Sequence, residues 1–85
     1  MQKKTILGVN VNNRAKNAAK IQKLLTDYGC YIKTRIGLHD VMDDFCSTGG
    51  LLILELYGDQ KKRKELEDKL KAVPGVEVKK MVFST

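Results

Sequence analysis

The sequence predicts an α+β domain whose elements alternate as βαββαβ. Three observations carry this expectation. Two segments space their apolar residues three and four apart, four runs are rich in aliphatic and β-branched residues, and glycine or proline stands at the boundaries. With 85 residues the chain has room for one such unit and one modest core, because a domain this small buries only roughly 60% of its unfolded surface. A multi-lobed enzyme and a long repeat array are excluded on length.

The first strand spans Thr5 to Val11, which is rich in β-branched residues and alternates near its end. Asn12 and Asn13 follow, with side chains suited to accepting bonds from the first free amides of a helix. From Arg14 to Tyr28, Ala18, Ile21, Leu25 and Tyr28 form one helical face, with Ala15, Ala19 and Leu24 beside it. Gly29 is expected to stop this helix in the left-handed conformation, and Cys30 beside it to be a small core residue. A second strand runs from Tyr31 to Leu38, with Lys33 and Arg35 on the face opposite Ile32, Thr34 and Ile36. Residues His39 to Gly50 are expected to form an acidic, glycine-closed loop. Leu51 to Tyr57 is almost continuously apolar and suggests a central strand. Asp59 then caps a helix from Gln60 to Ala72 whose buried stripe is Leu66, Leu70 and Val73. Pro74 and Gly75 end it, and Val76 to Phe83 alternates as the last strand.

This order implies a four-stranded antiparallel sheet with both helices on one face, the ferredoxin-like arrangement, because crossover connections keep one hand. The first and third strands are then central. Alternation assigns Leu7, Val9, Val11, Leu52, Leu54 and Leu56 to the helix side. The open side receives Ile6, Gly8, Leu51, Ile53, Tyr57, Met81 and Phe83, with Lys33, Arg35, Glu55, Glu77 and Lys79 among them. Arg35 and Glu55 are expected to pair across strands. An apolar group of this size on a soluble protein marks a contact surface, so a homo-oligomer, dimer or tetramer, is expected there.

The 16 Lys and Arg against 10 Asp and Glu give a net charge of +6. The dense run Lys61-Lys62-Arg63-Lys64 has no interleaved aromatics and is followed by Glu65, Glu67 and Asp68, which suits a solvated helix end rather than a nucleic-acid groove. No apolar run approaches the roughly 20 residues of a membrane span. Without a visible secretory leader or a disulfide framework, a cytoplasmic setting is expected. Catalysis by a nucleophile needs a base held by a third group, and a single histidine offers no such set, so no enzymatic activity is expected. No resident cofactor is expected either. The turn Asn10-Val11-Asn12-Asn13-Arg14 is a candidate small-effector site through its helix N-terminal amides. The alternative is a metal site shared between subunits, built on His39 and Cys46.

The run from Val11 through Leu38, and Leu70 to Val78 with its Val73-Pro74-Gly75-Val76 turn, resembles ACT-type regulatory domains. Arg35-Ile36-Gly37-Leu38-His39, then Phe45-Cys46-Ser47 and the strand Gly50 to Leu56, is similar to the iron-only hydrogenase system regulators. That resemblance covers nearly the whole chain. It implies an ACT-like fold, an oligomer, and a non-enzymatic role in regulating the hydrogenase system. A role on DNA would require a partner protein.

Overall fold

The computed structural model describes residues 3–12, 14–42 and 45–84, with side chains described throughout these except at 14–18, 38–42 and 45–49. The elements are β1 (Lys4–Val11), α1 (Arg14–Asp27), a 3₁₀ turn (Gly29–Tyr31), β2 (Ile32–Met42), β3 (Phe45–Leu56), α2 (Gln60–Lys71) and β4 (Val76–Phe83). The strands form one four-stranded antiparallel sheet in the order β2-β3-β1-β4. The central and edge strands are those the sequence predicts.

Alternation along β1 and β3 aims Leu7, Val9, Val11, Leu54 and Leu56 at the helices, where all five are buried. Ile21, Leu25 and Tyr28 of the first helical segment meet Leu66, Leu70 and Val73 of the second over this face. Leu7, Val9, Leu54, Leu66 and Leu70 are fully inaccessible. The three- and four-residue spacing on each helix matches the curvature of one stripe against a flat, alternating sheet, so a single core closes.

The helix ends follow local chemistry. The Asp59 carboxylate accepts a 2.7 Å bond from the Lys61 amide and caps α2. Gly58 just before it has φ +88°, and Gly75 after α2 has φ +79°, both in the left-handed region that glycine enters without steric cost. Gly29 departs from expectation. It lies outside the left-handed region and opens the 3₁₀ turn, in which the Tyr31 amide donates to the Tyr28 carbonyl at 2.9 Å. The chain tightens by one hydrogen-bond step rather than reversing, and that step satisfies a carbonyl left over at the helix end. Cys30, on this turn, is exposed rather than part of the core.

Of the stretch His39 to Gly50, the described residues 39–42 and 45–50 are strand rather than loop. β2 and β3 continue as a long hairpin, with His39 opposite Gly50, Val41 opposite Cys46 and Met42 opposite Phe45. Backbone pairing needs no apolar side chains, so an acidic, glycine-containing stretch extends a ladder that its neighbours have already started. Asp43 and Asp44 lie outside the described residues.

A bulge overturns the expected face of Arg35. Ile32 pairs with Leu56 but Thr34 with Glu55, so one extra residue, Lys33, is accommodated on β2. Ile32, before the bulge, keeps its place on the helix side and packs against the core, while the bulge moves Arg35 there as well, opposite Leu54, and sends Thr34 and Ile36 to the open side. Arg35 Nη2 donates to Gln22 Oε1 of α1 at 3.1 Å, and the expected Arg35–Glu55 pair does not form. Glu55 instead accepts a 3.2 Å bond from the Thr34 hydroxyl. Arg63 is also unlike the solvated residue expected, being 3% exposed beneath the start of β1.

Candidate functional site

The open side of the sheet is a continuous surface built from alternate residues of all four strands. Cross-strand register places Met81, Ile6 and Glu55 in one row with Thr34. Lys79, Gly8, Ile53 and Ile36 form the next row, and Glu77, Asn10 and Leu51 the one after. Ile6, Leu51 and Ile53 are half-buried by their neighbours, while Ile36, Met81 and Phe83 are about half exposed. Tyr57, just past β3, is exposed too. Of the expected interface residues, Ile6, Leu51, Ile53, Glu55, Met81 and Phe83 are brought together on this side, Tyr57 lies just beyond the strand, and Arg35 is removed. Ile36 takes its place as an apolar member. Nothing in the local sequence marks the bulge that puts it there.

The candidate effector turn sits at one end of this surface. Asn10 lies on the open side between Leu51 and Glu77. Asn12 is exposed, but its amide donates to the Gly75 carbonyl at 2.8 Å and is therefore not one of the free donors expected. Asn13 and the side chain of Arg14 lie outside the described residues. The side chains of His39 and Cys46 do as well, and among the described residues no three His, Cys, Asp or Glu side chains cluster as metal ligands would.

On the helix side, one ion cluster ties the edge strand to α2. Glu67, almost wholly buried, accepts from Lys71 at 2.8 Å and from Lys80 of β4 at 3.1 Å. Burial pushes its carboxyl up, but the bonds and charges of Lys71 and Lys80 outweigh this and hold it below the ordinary glutamate value. A carboxylate with a lowered folded value stabilises the fold above its unfolded value, and that stabilisation disappears as pH falls through the folded one. Urea midpoints measured from pH 7 down to about pH 3 are expected to fall less steeply for Glu67→Gln than for the wild type. Equal slopes would assign the acid sensitivity to other groups.

The element order, sheet order and single-sided helix layer define an ACT-like member of the ferredoxin-like folds. No protein-family model matches the chain, and no curated protein does. Among solved structures, the chain is similar to the uncharacterized protein TM1266 from Thermotoga maritima, at 27% identity and TM-score 0.79 over 95% of this chain and 98% of that one. It is also similar to the ACT domain from GTP pyrophosphokinase of Chlorobium tepidum, at 21% identity and TM-score 0.56, covering 93% and 96% of the two chains. A third similar structure is CPII, a nitrogen regulatory PII-like protein from Thiomonas intermedia bound to ADP, AMP and bicarbonate, at 12% identity and TM-score 0.59 over 99% and 96%. Among the described residues no helix is long and apolar enough to cross a membrane.

Proposed function

We propose that this chain is a non-enzymatic, cytoplasmic ACT-like regulator of the iron-only hydrogenase system. It assembles through the open side of its sheet and takes a small effector at the subunit boundary. The observation that carries the reading is the uncovered apolar surface of Ile6, Ile36, Ile53, Met81 and Phe83 on a sheet whose helices lie on the other side. Covering four such side chains is worth on the order of 6–10 kcal/mol gross, much of it offset by lost rigid-body freedom. The hydrogenase assignment is supported by the resemblance of Arg35 to His39 and Gly50 to Leu56 to that regulator family. Effector binding is supported by the likeness to an ACT domain and to a PII-like regulatory protein with nucleotides bound.

The effector would contact the turn formed by Asn10, Asn12, Asn13 and Arg14, which stands where the open surface ends. Its effect would come from binding one assembly more tightly than another, since only differential affinity shifts such an equilibrium. Light scattering of the purified chain at micromolar concentration tests the assembly. A mass of two or four chains is expected, and the mass of one chain would overturn the reading.

A further inference from the structure

The two buried charges of α2 are treated differently by the fold. Glu67 is neutralised by two lysines. Arg63 forms no ion pair among the described residues. Its Nη1 donates to the Lys3 carbonyl at 2.7 Å and to the Thr5 hydroxyl at 3.3 Å, both uncharged acceptors. Its Nε is buried with no hydrogen-bond partner among the described residues. A shielded cation without a counter-charge is costly, and proteins ordinarily pair it or replace it.

Two clefts flank this guanidinium, of about 190 Å³ on the Thr5 and Val82 side and about 210 Å³ on the Tyr57 side. Both are lined by Lys3, Leu56 and Arg63; the first also contains Glu67, already bonded by Lys71 and Lys80, and the second adds Lys4, Lys33 and Glu55, whose carboxylate accepts from Thr34. Lys64 and Lys80, which line the first, are already engaged by Asp68 and Glu67. Lys3, Lys4 and Lys33 make no ion pair among the described residues. The fold therefore gathers four cations that form no ion pair among the described residues at one end of the sheet, against the single carboxylate of Glu55 in the shared cleft. They come from the start of β1, the β2 bulge and the first turn of α2.

We propose that this end of the sheet binds a phosphoryl group, held by Arg63 together with Lys3, Lys4 and Lys33. A phosphate carries more than one negative charge and several acceptor oxygens, which suits four converging donors better than a single carboxylate does. The site lies at the opposite end of β1 from the Asn10 to Arg14 turn, so it stands or falls independently of the effector reading above.

The test is a calorimetric titration of the full chain with inorganic pyrophosphate in low-salt chloride buffer, with ADP as a second arm. Saturable binding is expected, weakened about tenfold or more in Arg63→Met, as loss of a charged hydrogen-bond donor implies. Arg63→Met without ligand is expected to melt no lower than the wild type, because it removes an unpaired buried charge. Lys3→Gln with Lys33→Gln gives the same loss of binding from exposed positions should the first variant fold poorly. Lys61→Gln with Lys62→Gln, outside both clefts, keeps the affinity. Tighter binding of ADP than of pyrophosphate would identify a nucleotide, and equal binding the phosphoryl group alone. Absence of pyrophosphate and ADP binding to the wild type, or binding reduced equally by the Lys61 and Lys62 pair, would overturn the proposal.

Discussion

Replacing Leu54 by alanine is expected to remove a large part of the stability of this protein. Leu54 sits near the end of central strand β3, fully inaccessible, directly opposite Leu7 and within the core that both helices share. Deleting its branched end loses the transfer energy of the removed atoms and leaves a cavity that the surrounding core side chains cannot fill without leaving their rotamers. The cost is about 2–5 kcal/mol, against a total of roughly 4–13 kcal/mol for a chain of this length. Leu52 lies on the same side of the same strand but is only half-buried, so Leu52→Ala should cost distinctly less. Urea unfolding at fixed protein concentration measures both. A Leu54→Ala effect no larger than that of Leu52→Ala would mean that the core is centred elsewhere.

Lysine at both Ile36 and Met81 is expected to turn the assembly into single chains. These residues stand on the two edge strands, about half exposed in one chain, so lysine reaches water there with little penalty to the monomer. In an assembly that covers the open side, each copy would bring two additional buried cations onto a chain that already carries +6. Unpaired charge in a covered apolar contact destabilises association by several kcal/mol. Val82 supplies the control. It is 48% exposed but pairs with Thr5, and so lies on the helix side of the same edge strand. Val82→Lys should leave the mass measured by light scattering unchanged. If all three substitutions left the mass of the wild-type assembly intact, subunits would be meeting elsewhere, and the open side would lose its role.

The two experiments probe what was differently legible in the chain. The alternation of β1 and β3 identifies their core residues directly, because Thr5–Val11 pairs with Gly50–Leu56 without a register shift and each of these residues keeps the face its parity dictates. Leu66, Leu70 and Val73 are equally plain, since a helix repeats its stripe regardless of what it packs against. The same parity argument fails on β2. There Lys33 enters the ladder as an extra residue, sends Arg35 to the helix side and leaves Thr34, not an arginine, beside Glu55. A bulge is a property of two strands together, and neither sequence alone signals it.

The amino-acid sequence by itself determined the element order, the central and edge strands, the faces of β1, β3 and α2, and the apolar character of the open side. Each of these follows from local periodicity, capping chemistry and the fixed hand of crossovers, which act over a few residues at a time. Only the tertiary structure decided that β2 and β3 extend as far as Met42 and Phe45, that Ile36 rather than Arg35 belongs to the open side, that Cys30 is exposed, and that Arg63 is buried without an ion pair among the described residues. These depend on which backbone lies across from which, and on how closely the start of α2 approaches the start of β1. A basic run that pattern alone assigns to solvent conceals one buried cation, because burial is set by the neighbour and not by the residue.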